Sequence, residues 1–263
     1  MKKQKLKIPL KFISIAGIIL LAFSLLLGYI WKVLTTSDFF SVKQVLVRDS
    51  GESFDYLKGS NIFRLNLNNE SQKALSKCAD CRKVRFLRIL PNCVIVDFLK
   101  RKPVALAKFY KNYAIDQQGV FFNPVGSAEE AALPVVYGLE TKIFAPKPGI
   151  RYKRPEIDLV LSVIQEFSAN KGLRPFTLKR IDVSNLQSAG LFVMLPKRVV
   201  DYTKPFVQGE RFGFEVRIGE GSIKQKLMIL GGLLMQADKE WGNIKYIDLR
   251  FKEPVIKLNN NVK

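Results

Sequence analysis

Between Phe12 and Trp31 the chain carries twenty consecutive residues without a charge. At about 1.5 Å of rise per residue a helix of that length spans roughly 30 Å, the hydrocarbon thickness of a bilayer. Lys2, Lys3, Lys5, Lys7 and Lys11 precede the run and Lys32 follows it. Tyr29 and Trp31 stand at its far end, where amphipathic rings sit among headgroups. The run is longer than the core of a signal peptide and ends without a small-x-small cleavage pattern, so it reads as a retained anchor. The lysine asymmetry predicts a cytoplasmic N-terminus and an exported remainder.

That topology explains only part of the charge. The sequence holds 43 Lys+Arg against 23 Asp+Glu and no histidine, a formal +20. The six lysines up to Lys32 leave most of the excess on the exported part. There it faces anionic headgroups and wall polymers, an attraction screened over roughly 8–10 Å at physiological salt. Without histidine there is no Ser-His-Asp or Cys-His nucleophile, no His-ligated zinc and no imidazole switch. No clustered carboxylate pair replaces them, so no catalytic, cofactor-binding or metal residues are expected. Lys100-Arg-Lys102 and Lys197-Arg198 lie beside strand patterns with no aromatic stacking platform, so nucleic acid is not an expected partner either.

Past the anchor the patterning is mixed and predicts an α+β architecture. Residues 42–47, 84–90 and 93–98 are β-branched or alternating runs of strand length, with Pro91-Asn92 as a hairpin turn between the last two. Two weakly helical pieces, around Ser53–Leu57 and Glu70–Cys78, lie between the first strand and the hairpin, the second with Asn68-Asn69 as candidate N-caps. The order is β-α-α-β-β. From Ala105 short strands follow at Ala105–Tyr110, Tyr113–Ile115, Val120–Phe122 and Pro134–Tyr137. A helix over Pro155–Asn170 presents Ile157, Val160, Leu161 and Ile164. Further strands are expected at Leu178–Val183, Leu191–Leu195, Val199–Asp201 and Phe214–Ile218. Ser222-Ile-Lys-Gln225 has the form of a capping box, opening a helix with Ile223, Leu227, Leu230 and Leu234 inward. A hairpin of Ile244–Phe251 and Val255–Leu258 ends the pattern.

Two cysteine-bearing strings and one glycine pair invite chemistry. Cys78-Ala-Asp-Cys81 with Cys93 lacks a fourth soft ligand for zinc and a thioredoxin-like βαβ setting for redox work. Two of Cys78, Cys81 and Cys93 are expected to form a disulfide in an oxidising compartment, either within the CxxC or from the helix end to Cys93. Gly219-Glu-Gly221 lacks the third glycine of a phosphate cradle, and Glu220 repels anions, so it reads as a capped turn.

Seven strings then stand in a familiar order: Phe39-Phe-Ser-Val-Lys-Gln-Val45, Leu57-Lys-Gly-Ser-Asn-Ile-Phe63, Leu90-Pro-Asn92, Arg101-Lys-Pro-Val-Ala105, Ile115-Asp-Gln-Gln-Gly-Val-Phe121, Leu133-Pro-Val-Val-Tyr-Gly138 and Tyr246-Ile-Asp-Leu-Arg-Phe251. The chain resembles the FtsQ/DivIB family of bacterial cell-division proteins. The resemblance implies a cytoplasmic tail at 1–11, a transmembrane helix at 12–32, a POTRA domain at 38–104, a second β-rich domain at 105–258 and a tail at 259–263. It implies a non-enzymatic scaffold in the cytoplasmic (inner) membrane, single-pass, with periplasmic domains at the division septum. Where family members use a basic pair in the central strand to bind the partner, this chain has Gln187-Ser-Ala-Gly190. The alternative, a POTRA-type module that handles polypeptides for export or envelope assembly, usually brings several POTRA repeats and a membrane barrel.

The last strand, Val255–Leu258, has no later segment to pair with and is expected to be a sheet edge, able to template a strand from another protein. In the family that strand captures a segment of FtsB, which comes as a coiled coil with FtsL and leads to FtsW and FtsI. The resemblance implies Arg250 and Phe251 as anchors, with Val255 and Ile256 on the pairing strand. The competing reading is an internal Asp248–Arg250 ion pair, Phe251 in the core, and Lys252 and Lys257 guarding the edge.

Overall fold

The computed structural model describes residues 10–124, 126–196, 213–236, 241 and 244–259. The strand expected at Val199–Asp201 and the Lys197-Arg198 pair lie outside them. The chain divides into two units, Met1–Lys100 and Arg101–Lys263.

The first unit begins with helix α1, Leu10–Thr36, which runs past the expected end at Lys32. Its stretch Gly17–Thr36 is long and apolar enough to cross a membrane. Thr35 and Thr36 hydroxyls donate back to the Trp31 and Lys32 carbonyls one turn earlier at 2.9 and 2.7 Å, the i−4 back-bond by which hydroxyls are satisfied within a helix. Strand β1 (Gln44–Arg48), helix α2 (Leu67–Lys77), β2 (Cys81–Ile89) and β3 (Cys93–Lys100) follow. The sheet order is β1-β3-β2, with β1 parallel to β3 and β2 antiparallel to it. The helical piece expected at Ser53–Leu57 is a single 3₁₀ turn, Asp55–Leu57, too short to pass the costly helix nucleus. Tyr56 on that turn donates to Glu70 of α2, which draws the turn onto the helix. The cap of α2 is Asn66, whose side chain accepts from the Asn69 N–H at 3.1 Å; Asn68 and Asn69, expected as caps, are already inside the first turn. Val84, Val94, Val96, Phe98, Phe54, Leu57 and Ile62 form the core of this unit.

The second unit is built on one sheet. Its strands are β4 (Pro103–Lys108), β5 (Asn112–Asp116) and β6 (Phe121–Phe122). After the short α3 (Ala128–Ala131) come β7 (Val135–Tyr137), α4 (Pro155–Ala169), β8 (Thr177–Asp182) and β9 (Gly190–Met194). Then follow β10 (Gly213–Arg217), α5 (Ile223–Gln236), β11 (Ile244–Asp248) and β12 (Val255–Leu258). The order across the nine strands is β12-β11-β10-β9-β8-β7-β4-β5-β6. Helices α4 and α5 pack against each other over one face. α4 buries Ile157, Val160, Val163 and Phe167, whereas the expected Leu161 and Ile164 are half-buried at the side of the stripe. α5 buries Leu227, Leu230 and Leu234, with Ile223 half-buried beside them. Gly138, which closes the Leu133–Gly138 string, has φ +89°, and a Cβ there would meet the Ser184 backbone nitrogen at 2.2 Å, so only glycine fits.

Two of the family-like strings meet inside this unit. Arg101 and Asp116 form an ion pair at 2.5 Å, with only 11% and 6% of their side chains exposed. The second carboxylate oxygen of Asp116 accepts from the Gln118 and Val120 amides at 2.8 and 3.0 Å, which holds the β5–β6 turn.

Candidate functional site

β12 lies at the end of the sheet, antiparallel to β11, in the register Leu258 to Ile244, Lys257 to Tyr246, Ile256 to Ile247 and Val255 to Asp248. Among the described residues no strand pairs with its other side. All four of its residues are exposed. Ile256 and Leu258 share the face of the buried Ile247 and Ile244, while Val255 and Lys257 share that of Tyr246. The edge thus offers backbone groups flanked by three solvent-facing aliphatic side chains, at 47%, 42% and 48% exposure for Val255, Ile256 and Leu258.

β11 ends at Asp248, three residues before the expected Phe251. The Leu249 N–H still reaches the Arg217 carbonyl of β10 at 2.8 Å, but Arg250 and Phe251 belong to the connection to β12. Arg250 grips Asp248, Nη2 to Oδ2 at 2.6 Å and Nε to Oδ1 at 3.0 Å, with its own N–H on Oδ1 at 3.0 Å. That grip holds the buried Asp248 carboxyl below the usual carboxylate range, against the opposing effect of its burial. Close approach of the backbone underneath permits the grip: Gly219 has φ +58°, and a Cβ there would meet the Gln187 carbonyl at 2.7 Å and Arg250 Cγ at 3.0 Å. Nearby the Lys226 ammonium donates to the Ile218 and Glu220 carbonyls at 2.6 and 2.5 Å, tying the Gly219–Gly221 turn to α5. Burial pushes that ammonium's pKa down, and the neighbouring Asp248 acts against the shift. Phe251 does not fill core. Its ring is 61% exposed, with the Arg250 guanidinium 5.8 Å from its centre.

On the Tyr246 face the registers align one row across five strands: Arg180, Phe192, Glu215, Tyr246 and Lys257. Arg180 lies 5.5 Å from the Phe192 ring centre, and Arg217 and Lys257 lie 4.4 and 5.9 Å from that of Tyr246. Each contact adds a modest attraction, and together they give the open face alternating cationic and aromatic character. Sequence reasoning missed Arg217 and Tyr246 as parts of the edge's surroundings. The alternation Glu215, Arg217 on β10 and Tyr246, Asp248 on β11 was the available signal, and only parallel pairing of β10 with β11 brings the two together.

The cysteines lie in the first unit, not here. Cys78 and Cys81 are disulfide-bonded, joining the end of α2 to the start of β2. Cys93 is a free, half-buried thiol. Because Cys81 pairs with Lys100 and Cys93 with Ile89, the two cysteines stand at opposite ends of the β2–β3 hairpin.

Comparison with known proteins places this architecture. A family described as "Cell division protein FtsQ/DivIB, C-terminal" matches residues 105–250, more than half of the chain. The chain belongs to the FtsQ/DivIB family. It is 26% identical over 173 residues to the cell division protein FtsQ of Myxococcus fulvus, covering 66% of this chain and 54% of that protein, so the match spans about half of that relative's length. It is 22% identical over 238 residues to FtsQ of Geotalea daltonii, covering 87% of this chain and 80% of the relative. The FtsQ of Syntrophotalea carbinolica is 21% identical over 233 residues. Family membership together with α1 makes this a membrane-anchored protein of cell division. The family match stops at Arg250, and β12 lies just beyond it.

Proposed function

We propose that this FtsQ-family protein is a non-catalytic scaffold of the division septum that recruits its partner by accepting a strand on β12. The partner is a segment of an FtsB-like protein, presented with FtsL and leading on to the FtsW and FtsI septal wall machinery. α1 holds the chain in the cytoplasmic membrane with the rest of the first unit and the second unit on the periplasmic side, and the part of the first unit running β1, 3₁₀ turn, α2, β2, β3 serves as a POTRA domain. The observation that carries this reading is the exposed side of β12, unpaired among the described residues, where a row of backbone groups is flanked by Val255, Ile256 and Leu258 with exposed Phe251 alongside. Gln187–Gly190 supplies no positive charge at the start of β9, but Arg217 and Arg180 stand on the neighbouring strands of the same face. With Lys257 on β12 itself they give this face positive charge for an acidic partner, Arg217 also pairing with Glu215 at 3.3 Å.

The test uses the full chain. Val255→Asp combined with Ile256→Lys alters only exposed positions, so the far-UV spectrum and thermal midpoint are expected to stay close to native. Co-purification with the FtsB/FtsL-like pair and support of division are expected to be lost. Retained capture and normal septation by this variant would overturn strand addition at β12.

A further inference from the structure

We propose that the end of the first unit next to α1 is a lipid-docking rim, with Phe39 and the β2–β3 turn at Ile89 and Leu90 seated in the headgroup layer of the bilayer that α1 crosses. Only Ser37 separates α1 from the 3₁₀ turn Asp38–Phe40, and the Ser37 N–H still bonds the Val33 carbonyl at 3.0 Å. The helix end is then clamped. Asn61 donates from its side chain to the Leu34 carbonyl at 2.9 Å and the Ser37 carbonyl at 3.4 Å, and Thr35 is buried. The Asn61 backbone bridges Ser41, and the Ile62 N–H bonds the Phe40 carbonyl at 2.9 Å. No free linker intervenes between the span and the folded unit.

The β2–β3 turn belongs to the same end. The Lys43 and Gln44 N–H groups both donate to the Asn92 carbonyl, at 2.8 and 3.3 Å, which places the turn at the start of β1. Arg88 donates to the Ile62 and Leu65 carbonyls at 2.8 and 2.6 Å, fastening the end of β2 to the loop that carries Asn61. At this end the unit exposes large apolar side chains where a water-facing rim would carry polar ones: Phe39 at 62%, Leu90 at 57% and Ile89 at 46%. Exposed Lys43 and Arg64 stand among them, as cations do at an anionic headgroup surface.

The open face of the three-stranded sheet is graded away from α1. Its first row is Gln44, Cys93 and Ile89, its second Leu46, Ile95 and Leu87, and its third Arg48, Asp97 and Arg85. At about 3.3 Å per residue the charged row begins roughly 13 Å beyond the first, outside the layer that interfacial side chains occupy. α1, at 27 residues and about 1.5 Å each, extends roughly 40 Å, so its end at Thr36 reaches headgroup level and not open solvent. A lipid surface is therefore the occupant whose position the span itself dictates.

The test places single tryptophans in the full chain, reconstituted in nanodiscs of phosphatidylethanolamine and phosphatidylglycerol with or without brominated acyl chains. In a Trp31→Phe, Trp241→Phe background, Phe39→Trp and Leu90→Trp are expected to emit to the blue of a water-exposed indole and to lose most of their emission to the bromolipids. Ile89→Trp is a third probe should Leu90→Trp disturb the turn. Lys77→Trp, at the far end of α2, is expected to be unaffected. Trp31 itself, read in a Trp241→Phe chain, reports whether α1 is in the bilayer. Rim probes that emit as water-exposed, or that shift blue without bromolipid quenching because protein covers them, would overturn the proposal while Trp31 is quenched. An unquenched Trp31 would overturn the anchor and the rim together.

Discussion

The nine-stranded sheet ends in two different ways. At β6 the edge is closed: Phe121 and Phe122 are buried, the Phe121 N–H donates to the Ile150 carbonyl, the Gly149 N–H donates to the Phe121 carbonyl, and Val120 bridges Arg151. At β12 the edge is open among the described residues, and every side chain on it is exposed. Each end carries a carboxylate and an arginine at its terminal hairpin, and these pairs differ in the same sense. Arg101 is 11% exposed beside Asp116, whereas Arg250 is 32% exposed beside Asp248. The difference teaches that this fold is able to cover an edge strand with its own loop and, among the described residues, does so at only one end. An uncovered edge is an aggregation hazard, so leaving it open calls for a reason, and a docking partner is one.

If that contrast is right, the two ends should respond unequally to substitution. Phe121→Ala is expected to cost about 3–5 kcal/mol, the usual loss for emptying a buried aromatic site. Urea unfolding of the full chain in detergent, followed by Trp241 fluorescence in a Trp31→Phe background, measures it; a cost no larger than that of Ile256→Ala would break the comparison. Next in size, Arg101→Ala leaves Asp116 buried without its cation and is expected to cost about 3 kcal/mol in the same assay. At the open end Asp248→Asn should cost less, about 1–2 kcal/mol, because the arginine it frees is able to reach water. It also changes the acid limb. The Asp248 pKa is lowered by folding, so its contribution is complete above the unfolded value of about 3.9 and is lost as pH falls through the folded value. The native chain should therefore lose stability below about pH 4 more steeply than Asp248→Asn, and superimposable acid titrations would contradict the role given to the pair. Smallest of all, Ile256→Ala is expected to stay within about 1 kcal/mol of native, since the side chain is already partly in water.

Much of the closed framework was legible from local signals. The uncharged run from Phe12 marks α1 because lipid imposes a length requirement that a single segment must meet alone. The strand-length run at 93–98, broken only by Asp97, marks β3 because Val94, Val96 and Phe98 join the core with Ala74 of α2 while Ile95 stands between Leu46 and Leu87 on the other face. What failed were choices settled by tertiary contact. Asn66 outcompetes Asn68 and Asn69 as cap by one turn's geometry. Phe251 reads as the end of a strand, but the Asp248–Arg250 grip turns the chain before it. The pairing of Arg101 with Asp116, and the cover that residues 149–151 lay over β6, join segments whose meeting no spacing reveals. Within the candidate site the edge strand was readable from Val255–Leu258. The cation over Tyr246 was not, because it comes from β10.

The orientation of β12 also has a mechanical meaning. A partner strand bonded along it and tugged along the strand axis strains all of its hydrogen bonds at once, whereas a tug away from the edge opens them one after another. β11, behind it, is held by β10 and roofed by the core under α5, so the strand of least resistance is β12 itself. A joint of that kind withstands sliding and yields to peeling, so its direction of loading, as much as its affinity, would decide how long it stays closed.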